Sequence, residues 1–326
     1  MSKKYSILIL TLVIASFGFF ASAQVRNTDI VLNISPEYPG PNQNVNATLN
    51  SYVINLDKAN ISWSINDQEM GGGVGKKSFS FKTGNVESPT TLSATIETVD
   101  GQNLLKTIII TPADIDMLWE AYDSYTPPFY KGKALAPSQG IFKVVAVPNL
   151  VIQGGKVNIN NLSYVWNQDG KVKPDSSGWG KNYFIFQNSY LDKGNIVNVK
   201  ISDISGDANA SGKIILSTTN PKILFYKTDP SLGVKWEAAL NNGSVINSTG
   251  EVITVEPYFF SPKDINSSNL TFDWSINGNK IQTPEPKNIL SIKPEAGQSG
   301  SATIKVLINN TKTLFQTLEK QISVSF

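Results

Sequence analysis

Ala59-Asn60-Ile61-Ser62-Trp63-Ser64-Ile65-Asn66-Asp67 returns as Leu162-Ser163-Tyr164-Val165-Trp166-Asn167-Gln168-Asp169-Gly170 and again as Leu270-Thr271-Phe272-Asp273-Trp274-Ser275-Ile276-Asn277-Gly278. Each copy alternates apolar and polar residues around a tryptophan and closes on an Asn/Asp-rich pair, the pattern of a half-buried strand running into a tight hairpin turn. Tryptophan is scarce here, with six in 326 residues, so recurrence at intervals of about 105 residues marks repeated domains. The repeat extends downstream, because Gly73-Val74-Gly75-Lys76-Lys77-Ser78-Phe79-Ser80-Phe81 matches Gly178-Trp179-Gly180-Lys181-Asn182-Tyr183-Phe184-Ile185-Phe186. Three alternating runs follow: Leu92-Ser93-Ala94-Thr95-Ile96, Ile196-Val197-Asn198-Val199-Lys200-Ile201 and Ala302-Thr303-Ile304-Lys305-Val306. Each is succeeded by a polar turn and another β-rich run.

Short strands separated by turn signals, with almost no helical periodicity, predict an all-β chain of sandwiches of roughly 100 residues each. The best helical candidate, 117–122, is too short and too aromatic to stand alone and reads better as extended. Proline after the terminal strands, at Thr111-Pro112 and Asn220-Pro221, sets the expected domains at 24–112, 113–220 and 221–326. The second and third are expected to open with a leading hairpin, 118–135 and 224–240, that the first lacks.

The Trp strand, its turn and its flanks resemble the immunoglobulin-like and PKD-like modules of bacterial surface proteins. The resemblance implies three tandem immunoglobulin-like β-sandwiches and no specific activity. The chain departs from PKD modules in lacking a Gly-Asp-Gly turn after the Trp. It departs from antibody domains in having no cysteine, hence no inter-sheet disulfide.

Residues 1–23 read as a secretory signal peptide: Lys3 and Lys4, an apolar stretch from 7 to 20, and the small residues Ala21-Ser22-Ala23 before the expected mature start at Gln24. A retained signal anchor is the alternative reading. Export places the chain in the periplasm, on the cell surface or outside the cell, with no integral membrane domain after cleavage. The formal charge of +2 falls to zero without the two leader lysines, so no basic footprint for nucleic acid or an anionic membrane is expected.

Absence also narrows the chemistry. With no histidine and no cysteine, Ser-His-Asp and Cys-His catalysis and the common zinc sites are excluded. Carboxylate chemistry needs two acids converging on one bond, and Glu69, Glu120 and Glu237 are scattered surface charges. The run Met70-Gly71-Gly72-Gly73-Val74-Gly75-Lys76-Lys77 fails the phosphate-loop spacing and reads as a turn into a Phe strand. The best calcium cluster, 203–209, lacks a Ca²⁺-loop spacing and reads as a polar hairpin tip. No catalytic, metal or cofactor residue is assigned.

The remaining candidates are aromatic. Trp63, Trp166 and Trp274 read as pins in the sandwich cores. Trp179, Tyr122, Tyr125, Phe129 and Tyr130 read either as fillers of a junction between consecutive domains or as exposed rings for a glycan or a protein partner. Two functions follow: a non-enzymatic structural spacer or interaction scaffold at the cell envelope, and an adhesin or carbohydrate- or protein-binding module.

Overall fold

The computed structural model describes residues 29–326 except Glu87, Gln153, Gly154, Lys193, 205–208 and Ala296. The expected leader and most of the 203–209 loop lie outside these residues. The chain divides into two compact units, with the boundary between Pro112 and Ala113. Buried apolar residues gather into three separate clusters: one in the first unit, around Trp63, and two in the second, around Trp166 and Trp274. Each cluster fills one β-sandwich, called modules 1, 2 and 3 below.

Module 1 consists of β1 (Ile30–Ser35), β2 (Asn44–Ser51), β3 (Asn60–Ile65), β4 (Gln68–Val74), β5 (Ser78–Lys82), β6 (Thr90–Glu97) and β7 (Asn103–Ile110). A three-stranded sheet β1-β2-β5 faces a four-stranded sheet β4-β3-β6-β7, the division of an immunoglobulin-like sandwich. Period-two burial makes the layers: in β2, Val45, Ala47 and Leu49 are buried while Asn44, Asn46 and Asn50 face solvent.

Module 2 repeats this plan with β8 (Asp114–Ala121), β9 (Ile141–Asn149), β10 (Val151–Ile152), β11 (Gly155–Lys156), β12 (Ser163–Gln168), β13 (Lys171–Val172), β14 (Gly178–Trp179), β15 (Tyr183–Gln187), β16 (Gly194–Ser202) and β17 (Asn209–Ser217). Its small sheet is β15-β9-β8, and its larger one is β13-β12-β16-β17 with β14 also on β12. Module 3 follows with β18 (Lys222–Asp229), β19 (Gly233–Ala239), β20 (Ser244–Val245), β21 (Glu251–Tyr258), β22 (Leu270–Ile276), β23 (Asn279–Ile281), β24 (Ile289–Ile292), β25 (Ser301–Asn310) and β26 (Thr317–Ser325). Its sheets are β19-β18-β21-β24 and β20-β26-β25-β22-β23, with β20 parallel to β26.

The quoted repeat has the same local geometry three times. Its two-residue turn takes positive φ at both positions, 48° and 64° at Asn66-Asp67, 51° and 83° at Asp169-Gly170, and 49° and 83° at Asn277-Gly278. This is the twist that a right-handed hairpin demands. The first turn residue then clamps the neighbouring strand: the side chains of Asn66, Asp169 and Asn277 accept the N–H of Thr91, Ile196 and Thr303 at 2.8, 2.8 and 2.9 Å. The tryptophans Trp63, Trp166 and Trp274 are fully buried, and each Nε1–H donates at 2.9 Å to a lysine carbonyl, of Lys76, Lys181 and Lys287. Each lysine lies just before β5, β15 or β24, a strand of the opposite sheet. Phe79 and Phe184 stack on Trp63 and Trp166 with centroids 5.6 and 5.8 Å apart. β24 has no phenylalanine, and Phe225 of β18 meets Trp274 edge-on instead.

The expectation of leading hairpins holds only in module 3, where β18 and β19 pair. In module 2, β8 pairs along its length with β9, and 122–140 forms no strand beyond a single bridge from Pro137 to Thr219. Pro127, Pro128 and Pro137 remove the backbone donors a returning strand needs. The first strand itself is common to all three modules, β1 pairing with β2 as β8 does with β9 and β18 with β21. What differs between modules is the connection after the first strand.

Trp166→Phe removes the donor from the Lys181 carbonyl and part of the core volume, and is expected to cost about 2–3 kcal/mol, read as a lowered calorimetric melting midpoint. Asp67 holds φ 64° where the other two modules place glycine. Asp67→Gly is expected to stabilise module 1 by about 0.5–1 kcal/mol, read as a raised melting midpoint, because glycine adopts this conformation without a Cβ penalty.

Candidate functional site

Modules 2 and 3 belong to one compact unit, and the segment after β8 joins them. Residues 122–140 are fixed to module 2 first. Tyr122 N–H donates to the Ile141 carbonyl, Asp123 Oδ1 accepts Ile141 N–H, and Ser124 Oγ donates to the Leu135 carbonyl at 2.6 Å. From this base Tyr125 reaches module 3 through both backbone groups, donating to the Phe260 carbonyl and accepting from Phe259 N–H, each at 2.8 Å. Its phenol donates at 2.6 Å to Glu256 Oε2. Tyr130 packs edge-on against Tyr258 and Phe259, with centroids 5.7 and 5.9 Å away. Gly132 leaves room for that ring, because a Cβ there would stand 2.4 Å from the Tyr130 hydroxyl.

A second set of contacts comes from the amides. Gln316, fully buried, donates through Nε2 to the Ser138 carbonyl of module 2 at 2.8 Å and accepts Ser261 N–H at 2.9 Å. Gln139 Oε1 accepts Leu314 N–H at 2.9 Å. The 188–192 loop is tied down by Asn188, whose Nδ2 donates to the Ser189 and Asp192 carbonyls. The loop sets Tyr190 against Phe315 of module 3 at 5.3 Å. The linker is clamped as well, Thr219 N–H donating to the carbonyl of buried Ala136.

Glu256 is the unusual member. It sits on the non-core face of β21, opposite Leu224 of β18, yet it is buried. Burial pushes its carboxyl up to about 7, and the Tyr125 phenol, by donating to the charged form, holds it back from going higher. Burial and the adjoining carboxylate together push the Tyr125 phenol above its ordinary range, so it remains a donor. Tyr258, hydrogen-bonded to Tyr226 at 2.7 Å, is pushed up as well, chiefly by burial.

Of the aromatic candidates, the structure brings Tyr125 and Tyr130 to the junction. Tyr122 is half exposed at the end of β8, and Phe129 is almost fully exposed with φ 63°. Trp179 is half exposed on β14, where Val74 stands in module 1. Its flanking glycines, Gly178 and Gly180, have φ of 134° and 68°, which accounts for the shared glycine pattern as backbone geometry. Sequence reasoning missed Glu256, whose one signal is an acid inside the apolar run Val252-Ile253-Thr254-Val255-Glu256-Pro257. It also missed the buried amides Asn188, Asn195, Asn310 and Gln316.

The acids that the sequence singles out are engaged with neighbours or turned to solvent. Glu120 pairs with Lys143 at 3.5 Å, while Glu69 and Glu237 are exposed. An open cleft of about 510 Å³ in module 3 is lined by Asp229 and Glu251 among others. Asp229 accepts Ser231 and Leu232 N–H, and Glu251 pairs with Lys227 at 2.9 Å. Among the described residues no three His, Cys, Asp or Glu side chains are grouped to hold a metal ion. No helix of the described residues is long and apolar enough to cross a membrane.

No family model matches this chain, and no curated protein does. Solved structures similar to it are tandem arrays. The three N-terminal domains of the Highly Immunogenic Outer Capsid protein of bacteriophage RB49 are 12% identical, covering 91% of this chain and 97% of that one at a TM-score of 0.26. Immunoglobulin domains 1–5 of Sidekick-1 are 12% identical, covering 91% and 59% at 0.23. The central fibronectin-III array of RIM-binding protein is 10% identical, covering 90% and 95% at 0.30.

The raised carboxyl of Glu256 links stability to pH. The folded unit retains a proton that the unfolded chain releases near pH 4.5, so this contribution is complete below about 4.5 and is lost as pH rises through about 7. The module 2–3 unit is expected to be less stable at pH 8 than at pH 5 by up to about 3 kcal/mol from this group. Glu256→Gln should flatten that slope in urea titrations across the same range.

Proposed function

We propose that this chain is an exported, non-enzymatic scaffold of the cell envelope or surface, in which modules 2 and 3 act as one stiff arm presented to protein partners. The observation that carries this reading is the Tyr125 clamp. One residue supplies two backbone hydrogen bonds and a charge-assisted phenol–carboxylate bond across the junction, in a place where consecutive domains are by default mobile. A linker pinned by Ala136 and Thr219, together with the Gln316–Ser138 and Gln139–Leu314 bonds, restrains the pair from a second side. Stiffness of this kind serves spacing and presentation. Catalysis would instead need convergent, free reactive groups, and the acids described above are tied to neighbours or scattered.

The chain contains no cysteine, so two engineered thiols label it cleanly. Spin labels at Lys213→Cys on β17 and Lys320→Cys on β26 are expected to give one narrow distance distribution by pulsed electron resonance. Tyr125→Ala should broaden it severalfold while both modules stay folded. A broad distribution in the unaltered junction sinks the stiff-arm reading.

A further inference from the structure

The three modules treat one equivalent surface in three different ways. This surface is the outer face of the small sheet. In module 1 it is polar apart from Val31, carrying Asn33, Asn44, Asn46, Thr48, Ser78 and Ser80. In module 3 it is covered toward the junction, where Thr254 and Glu256 are buried, Trp236 of β19 lies 5.3 Å from Tyr226, and Tyr125 and Tyr130 of module 2 close over it. At the other end it opens into the cleft at Thr228, Val252 and Ser291. In module 2 it is open and mixed, with apolar side chains standing among Asp114, Asp116, Glu120, Lys143 and Gln187. Leu118 is 57% exposed, Tyr122 51%, Val147 42%, Tyr183 51% and Ile185 40%. Together these side chains expose on the order of 400 Å², the size of the largest apolar patch on a typical monomer, which is often functional.

At the centre of this face stands one ion pair. Glu120 of β8 and Lys143 of β9 are register partners, with Lys143 Nζ 3.5 Å from Glu120 Oε1. The same ammonium lies 5.7 Å from the Tyr122 ring and 6.0 Å from the Tyr183 ring. An acid and a base side by side on adjacent strands make the face complementary to itself. A two-fold axis lying between two stacked sheets, parallel to the strands and midway between β8 and β9, lays β8 over the partner's β9. Glu120 then faces the partner's Lys143, Leu118 faces the partner's Val145, and Val147 faces the partner's Asp116. The result is an alternating ring of four charges flanked by the Leu118–Val145 contacts, with each Asp116 toward the rim, an isologous arrangement in which each contact occurs twice. Sheets stack in this aligned way in sandwiches.

We infer that the outer face of β8-β9-β15 is a homodimer interface, and that two copies of this chain pair back to back through module 2. This goes beyond the scaffold reading and does not depend on the Tyr125 clamp, which is directed at module 3.

The test uses charge reversal, since both side chains are partly exposed and neither belongs to a core. Sedimentation of the mature chain should show a concentration-dependent dimer. Glu120→Lys alone and Lys143→Glu alone should each weaken it by about tenfold or more, because like charges meet across the axis. Mixing the two single variants should restore a dimer as a heterodimer, and the Glu120→Lys, Lys143→Glu double variant should restore a homodimer. The rescue by mixing separates an intermolecular role from the pairing within one chain, and unchanged melting midpoints exclude unfolding. A monomer at all concentrations, or a dimer indifferent to both single reversals, overturns the inference. So does failure of the mixture to pair. Tight binding of a soluble glycan to a purely monomeric chain, lost in Tyr122→Ala and Tyr183→Ala, would assign the face to a carbohydrate instead and equally overturn it.

Discussion

The indole N–H of a buried tryptophan, held by the carbonyl of a lysine in the opposite sheet's approach, is the contact on which each sandwich depends. Without cysteine, no disulfide ties the two sheets together. The Trp63–Lys76, Trp166–Lys181 and Trp274–Lys287 bonds span that gap and fix where the connection to β5, β15 or β24 leaves the larger sheet. A buried hydrogen bond of this kind adds only about 1 kcal/mol on net, but leaving either partner unmatched costs more. The indole therefore specifies one crossing geometry besides filling the core. The turn that follows acts with it, since a one-residue slip of β3, β12 or β22 would turn the tryptophan to solvent and break the Asn or Asp clamp on the next strand.

Sequence pattern revealed most of this layer. The tryptophans, the Asn/Asp-Gly turns and the glycine-lysine approach are local signals, and local signals survive because sheet periodicity and turn chemistry operate over a few residues. Partner choice between strands is non-local and was less legible. The first strand of module 2 reads like that of module 3, yet β8 pairs with β9 alone while β18 also pairs with β19, because 122–140 is occupied in reaching module 3. Glu256 was invisible for the same reason. An acid on the non-core side of a strand reads as solvated, and only the approach of Tyr125, 131 positions earlier, buries it. The aromatic cluster 122–130 was seen as a group, but sequence could not sort its members. Tyr125 and Tyr130 turn to the junction, while Tyr122 and Phe129 turn to solvent.

The equivalent small-sheet faces show how a repeated fold acquires different uses. The core-facing positions of the three small sheets keep the same alternating pattern, so selection on the core leaves the outward positions free to change. Asparagine and serine keep module 1 solvated there. In module 3 a carboxylate is retained under the preceding module, where it is stabilised by one phenol and destabilised by loss of water. A junction built this way is a compromise, because an apolar residue at the same position would pack without a pH-dependent term.

The parallel pairing of β20 with β26 sets module 3 apart under load. Ser244 and Val245 lie beside Val324 and Ser325, and Gly243 and Ile246 add backbone bonds to the carbonyls of Ser323 and Ser325. Tension that draws β20 back toward its start and β26 toward its end slides the two strands past one another, so their hydrogen bonds are strained together. Antiparallel hairpins pulled open at one end instead lose their bonds singly, in succession. The named strands of modules 1 and 2 pair antiparallel, and the one parallel contact of module 2 among the described residues is the isolated bridge from Pro137 to Thr219. Among the described strands the third module thus carries a parallel contact that loads in shear, where the second has only an isolated bridge.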